Sequence, residues 1–319
     1  MFKQVLTFGA LCLGTLVFAQ DAYPSKPITL IVPNPPGGVV DTSARMLSES
    51  LSRIIGQSVV IDNKAGGSGN VAYGQVARAK ADGYQLLISY SAYHVGNPAL
   101  TPNLPWEAKD FAPVALLTVA TNVIAAHPSV PATNLKEFIA YLKTHPGKLN
   151  YASQGNGSLS HIGTEIFKQQ TGSFITHIPY RGSGPAVQDV LAGQVQVFMT
   201  TPPSVMQHVI SGKLKAFAVT GNTRHPSLPN VPTTAEAGMP DFKLEAWVGL
   251  FAPAATPPAV IAKLTADVKK ALEQPETKQR ADAAGIELRY LPPDALGKLV
   301  ATETTYWAKT IKGAGIKAD

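Results

Sequence analysis

The sequence holds a single cysteine in 319 residues, Cys12, so no disulfide framework can form within the chain. Charge is scarce as well. Asp, Glu, Lys and Arg make up 15%, 27 basic residues stand against 21 acidic ones, and the only block of like charge is Lys269-Lys270. A nucleic-acid surface needs basic residues gathered along a face or groove, so a net charge of +6 spread this thinly reads as a solvated surface that still attracts small anions. No Gly-x-Ser-x-Gly elbow, His-Glu-x-x-His pair or Gly-Lys-Ser/Thr phosphate loop occurs, and those are the patterns that announce hydrolase, zinc or nucleotide chemistry. The seven histidines, at 94, 127, 145, 161, 177, 208 and 225, are scattered with no metal-ligand spacing. A Ser-His-Asp site assembled only in space, as in a secreted α/β hydrolase, stays open as an alternative.

What is present describes an ordinary globular chain. Apolar residues make up 45%, and 27 Gly with 26 Pro imply many short elements joined by tight turns. The length suggests about two domains on a prior of roughly 100 to 200 residues each. Lys3 precedes an apolar run over 5–18, and Val17-Phe18-Ala19 places small residues where signal peptidase reads them. Residues 1–19 are therefore expected to be a secretory signal. The run is shorter than the ~20 residues of a spanning helix, Leu11 is too large for lipid attachment at Cys12, and the expected destination is the periplasm.

Short apolar runs alternate with helical patterns. The run 28–32 is followed by Ala44, Leu47, Leu51, Ile54 and Ile55 at helical spacing with Gly56 as the stop; runs at 59–61 and 86–89 flank a helix over 71–80. The theme recurs with runs at 123–126, 150–153, 175–180, 195–199 and 214–219, and a last one at 246–251 precedes helices over 257–272, 276–284 and 294–311. Buried strands alternating with helices predict parallel sheets covered on both faces. The expected fold class is α/β, with two doubly wound domains. Domain 1 takes residues 20–121 and 246–319, domain 2 takes 122–245, and two crossing segments leave a double-strand hinge beneath a cleft.

Glycine-rich loops sit between strand ends and helix starts, where free amides and the helix dipole favour an anion and where open α/β sheets place their ligands. In Pro36-Gly37-Gly38-Val39-Val40-Asp41-Thr42 the glycines allow close approach, and Asp41 reads as an N-cap or a ligand contact. In Ser153-Gln154-Gly155-Asn156-Gly157-Ser158-Leu159-Ser160-His161 the serines at 158 and 160 can cap the helix or reach a carboxylate, and His161 can be a packed side chain or a contact. Arg181 in Tyr180-Arg181-Gly182-Ser183-Gly184-Pro185 offers a guanidinium at a helix start, or lies in solvent. The segment Ser89-Tyr90-Ser91-Ala92-Tyr93-His94 is rich in rings and hydroxyls, suited to stacking on a flat ligand or to packing within its own domain.

Tyr23-Pro24-Ser25-Lys26-Pro27-Ile28 followed by Val32-Pro33-Asn34-Pro35-Pro36-Gly37-Gly38-Val39-Val40-Asp41-Thr42, then Ala81-Asp82-Gly83-Tyr84, Tyr151-Ala152-Ser153, His177-Ile178-Pro179-Tyr180-Arg181-Gly182 and Leu228-Pro229-Asn230-Val231-Pro232-Thr233 resemble, in order, the Bug-type (TctC-like) solute-binding proteins of tripartite tricarboxylate transporters. The resemblance covers essentially the whole chain after the signal. It implies a type II periplasmic-binding-protein-like, Venus-flytrap fold, a monomer with neither catalysis nor cofactor, a small-molecule carboxylate ligand, and membrane permease subunits as partners. It also implies ligand contacts from Gly37, Gly38, Asp41 and Thr42 in domain 1 and from Gly157, Ser158, Tyr180, Arg181 and Gly182 in domain 2.

One departure from the family pattern bears on the ligand. Thr200 stands where many members carry an acidic residue, which removes a negative charge from the cleft wall and supplies a hydroxyl. With Ser91, Tyr93 and His94 opposite, the expected ligand is a dicarboxylate, with a flat aromatic one of terephthalate type as the specific expectation. A sensor presenting the carboxylate to a signalling receptor is the alternative to transport.

Overall fold

The computed structural model describes residues 23–313 and 315–316; the expected signal lies outside the described residues. The chain opens with β1 (Ile28–Val32), α1 (Val39–Ile55), β2 (Val59–Asn63), α2 (Asn70–Ala77) and β3 (Gln85–Tyr90). A π-helical turn at Ala92–Gly96 runs into α3 (Asn97–Leu100), and β4 (Phe111–Thr121) leads out of the first sheet. Next come β5 (Val123–Ala126), α4 (Leu135–Thr144), β6 (Asn150–Ser153), α5 (Leu159–Thr171), β7 (Thr176–Pro179), α6 (Ser183–Leu191), β8 (Val197–Thr200), α7 (Pro202–Ile210) and β9 (Lys215–Val219). The return is β10 (Glu245–Pro253), followed by α8 (Pro258–Leu272), α9 (Pro275–Ala284), β11 (Glu287–Leu291) and α10 (Pro293–Gly313).

Two sheets result, ordered β11-β4-β10-β3-β1-β2 and β7-β6-β8-β5-β9. The expectation of purely parallel sheets is corrected. β1 runs parallel to β2 and β3, and β6 parallel to β7 and β8, but β10 is antiparallel to β3 and β4, and β5 is antiparallel to β8 and β9. The cause is the double crossing. A strand that leaves one sheet and another that returns beside it must run in opposite directions, so each sheet keeps a parallel half and gains an antiparallel one.

Local sequence explains the parallel half. β1 buries Ile28, Leu30, Ile31 and Val32 completely, and α1 presses Ala44, Leu47 and Leu51 against the sheet, each large side chain contributing about 1.5 to 3 kcal/mol. Gly56 ends α1 in the left-handed conformation, φ 67°, its amide closing onto Ser52 O; only glycine takes that turn without strain. β4 has eleven residues and no alternation, since Val114 to Ala120 are all buried. Pro113 sits in it where the pairing with β10 shifts register, opposite Phe251, and a bulge is where a strand tolerates proline.

The two crossings are tied to each other. The Asn122 amide donates to Thr220 Oγ1 at 2.8 Å, the Thr220 amide donates to Asn122 O at 2.9 Å, and Asn122 Nδ2 donates to Leu244 O at 3.3 Å. Every strand-to-helix loop of the parallel halves opens at the carboxyl ends of its strands, so the loops of the two lobes face one another.

Candidate functional site

The first wall is the start of α1. Gly37 has φ 97°, and Gly38 is the extended N-cap residue with no side chain closing the helix end. The first amides of α1 are therefore left uncapped, as an anion site requires. Asp41 is the third residue of the helix, which corrects its reading as an N-cap. Its carboxylate accepts from the Gly37 amide at 3.1 Å, from Arg45 Nε at 2.9 Å and Nη2 at 3.0 Å, and from Asn63 Nδ2 at 3.1 Å. Thr42 turns its hydroxyl back to Gly38 O at 2.9 Å. Asp41 and Thr42 hold the glycine loop in shape while its remaining amides stay available.

Burial pushes the Asp41 carboxyl up, but the bonds from Arg45, Asn63 and the Gly37 amide outweigh it and hold the group below the usual carboxylate range. Its contribution to stability is complete above about pH 4 and is lost as pH falls through the lower folded value. Asp41→Ala leaves the Gly37 amide and Asn63 without their acceptor, and urea unfolding at pH 7 is expected to show a loss of about 2 to 3 kcal/mol. The difference from wild type should shrink in acid.

The second wall comes from lobe 2. Ser158 caps α5, accepting the His161 amide at 3.4 Å and donating to Gly155 O at 2.6 Å. The Gly157 amide, φ 74°, donates to His161 Nδ1 at 3.2 Å. His161 stacks on His177, with ring centroids 4.3 Å apart. Ser158 and His161 thus bond within the loop's own fold. The start of α6 differs, because Gly182, φ 109°, closes nothing with a side chain. Tyr180 directs its hydroxyl to Asp189 Oδ2 at 2.7 Å. Arg181 is exposed, with no hydrogen bond or ion pair among the described residues.

The walls meet. A Cβ at position 38 would lie 3.1 Å from Ser183 Oγ, one at 182 would lie 2.7 Å from the Pro35 ring, and one at 157 would lie 3.0 Å from Asn97 Oδ1. Ser68 Oγ donates across the gap to Asn156 O. The uncapped starts of α1 and α6 thus face each other, with glycine at each point of closest approach. Among the described residues the buried side-chain atoms lacking a partner are Asn34 Oδ1, Asn97 Oδ1, Asn156 Oδ1, Thr201 Oγ1, Ser204 Oγ and Thr256 Oγ1; Asn34 and Asn156 lie in the facing loops, Asn97 starts α3, and Thr201 and Ser204 stand at the start of α7.

The segment after β3 divides. Tyr93 accepts from Asn34 Nδ2 at 3.2 Å, and its ring packs beneath Gly69; burial pushes its hydroxyl up to about 12. Ser91 is buried and accepts the Trp247 amide at 3.2 Å. His94 is in the core, which corrects its placement opposite the ligand. It stacks on Phe251 at 4.5 Å, lies among Tyr73, Trp106, Phe111 and Trp247, and shares a 2.9 Å bond with Ser89 Oγ. Thr200 is buried and accepts from Gln154 Nε2 at 3.2 Å. Asn34, Asn97, Gln154 and Ser183 are residues that sequence reasoning missed, although each lies within or beside a loop it had marked.

Two α/β lobes joined by paired crossings, with bare helix starts facing across the gap, have the architecture of a two-lobed solute-binding protein. The chain belongs to the tripartite tricarboxylate transporter family receptor family (TctC), whose model matches residues 43–316. BugT of Bordetella pertussis is 36% identical over 301 residues, 94% of this chain and 92% of BugT. Among solved structures, the periplasmic binding protein BugD is 34% identical with a TM-score of 0.88, over 92% of this chain and 99% of that one. A protein of R. palustris solved with adipate is 33% identical with a TM-score of 0.89, over 92% and 99%. MatC of Rhodopseudomonas palustris with bound malate is 34% identical with a TM-score of 0.85, over 91% and 100%.

Proposed function

We propose that this protein is a periplasmic receptor that closes on a dicarboxylate and delivers it to the membrane permease subunits of a tripartite tricarboxylate-type transporter. The observation that carries the reading is the facing pair of uncapped helix starts at Gly38 and Gly182. One carboxylate between them would take amides from both lobes at once. Gly38 and the first amides of α1 hold it from lobe 1, with Gly37 shaping the loop through Asp41, while Gly182, Ser183 and the Arg181 guanidinium at the rim hold it from lobe 2. Thr200, held beside Ser183 by Gln154, is the residue assigned to the far end of the ligand. The adipate and malate of the two R. palustris neighbours support a diacid, aliphatic or a flat aromatic one such as terephthalate.

The lobes, 20–121 with 246–319 and 122–245, turn about the Asn122 and Leu244 crossings. A ligand that touches both lobes favours only the closed arrangement, so binding shifts the population toward it. A thermal-shift series with malate, adipate, terephthalate, citrate and the monoacid hexanoate tests this. At least one diacid is expected to raise the melting temperature, and more than hexanoate does; about 2.7 kcal/mol of stabilisation accompanies a ligand at 100 times its Kd. No shift with any carboxylate overturns the reading.

A further inference from the structure

We infer that Gln154, through Ser183 and Thr200, sets the chemistry of the group this cleft accepts. The inference rests on the cleft being the carboxylate site. The Gln154 amide nitrogen donates one hydrogen to Ser183 Oγ at 2.7 Å and the other to Thr200 Oγ1 at 3.2 Å. Its own backbone is pinned by Ser160 Oγ, which accepts the Gln154 amide at 2.9 Å. Gln154, Ser183 and Thr200 are all buried, so water does not compete for these bonds.

A hydroxyl has one hydrogen to give and two lone pairs. Each of these oxygens has taken a hydrogen from Gln154, so its own hydrogen must point elsewhere, and neither hydroxyl donates to any described residue. Ser183 Oγ faces the start of α1 across the gap, 3.1 Å from where a Cβ on Gly38 would stand. Next to Thr200, Thr201 Oγ1 is buried with no partner. Gln154 thereby leaves two hydroxyls free to donate, that of Ser183 facing the start of α1, with no cation among them. Such a clamp fits a group that only accepts hydrogen bonds, a carboxylate or a carbonyl oxygen, and turns away an ammonium group. Gln154 is a positioning residue; Ser183 and Thr200 touch the ligand.

Gln154→Glu tests the donor role with almost no change of shape. Its carboxylate would accept both hydroxyl hydrogens, consume the two donors and add a negative charge beside the ligand. Calorimetry with malate and adipate is expected to show affinity falling by about 100-fold or more in Gln154→Glu and by about tenfold in Gln154→Leu. Circular dichroism should show both variants folded. The order is the signature, because a residue kept for packing would tolerate the isosteric Glu better than Leu. Wild-type affinity in Gln154→Glu, or a Leu variant worse than Glu, overturns the inference while leaving the carboxylate site standing. A wild-type protein that binds no carboxylate overturns both.

Discussion

Gly38→Asp is expected to abolish ligand binding while leaving the unliganded protein as stable as wild type or slightly more so. The backbone at Gly38 is extended, φ −100° and ψ 175°, which suits an N-cap aspartate. Its carboxylate would accept the second or third amide of α1, the groups proposed to hold the ligand, and would place a negative charge where the ligand's own charge must sit. Replacing glycine with a better cap contributes a few tenths of a kcal/mol, so the melting temperature without ligand should hold or rise. Two charge-assisted bonds lost at about 1.5 to 3 kcal/mol each predict at least about a 100-fold fall in affinity. Gly38→Ala separates this effect from crowding, since its methyl only presses on Ser183 Oγ at 3.1 Å and should weaken binding mildly. Undiminished diacid binding by Gly38→Asp in calorimetry would remove the start of α1 from the site.

Acid is expected to unfold the protein in part through one histidine. Burial among aromatic rings drives the His94 imidazole down to about 3, whereas in the unfolded chain it titrates near 6.5. Below pH 6.5 the unfolded state takes up a proton that the folded state refuses, so stability falls by roughly 1.4 kcal/mol per pH unit until the pH nears the folded value. The stability is complete above pH 6.5, and its loss down to pH 3 is on the order of 4 kcal/mol. His94→Leu removes the titration, and Ser89 keeps Tyr73 as a partner at 2.8 Å. Chemical denaturation from pH 8 to pH 4 should give a visibly flatter acid limb for the variant. Equal slopes would mean that His94 is charged inside the folded protein.

The sequence reading succeeded where a requirement is local. Gly56, Gly37 and Gly182 mark turns whose backbone angles favour glycine, and α1 shows its buried face in the spacing of Ala44, Leu47 and Leu51. It failed where a residue's meaning depends on distant partners. β4 carries Pro113 and a run buried on both faces and interrupted only by Thr118, so neither alternation nor turn signals outline it; its place is set by β10, more than a hundred residues later. His94 resembles a binding residue beside a strand end, and only Trp106, Phe111 and Phe251 make it a core one. Gln154 looks like loop filler until Ser183 and Thr200 arrive, 29 and 46 residues on.

The direct contacts between lobes have an evolutionary consequence. The Ser68 bond to Asn156 and the packing of Pro35 over Gly182 involve no cargo atom, so in the proposed closing motion they favour the closed state whatever the cargo is. Strengthening them multiplies the association constant of every cargo by one common factor, because each spends less binding energy on closure. Scavenging power can therefore be raised or lowered at these positions without altering which molecule is preferred. Under the proposed transport role the gain has a ceiling, since contacts strong enough to shut an empty receptor would send it unladen to the permease, in competition with laden copies.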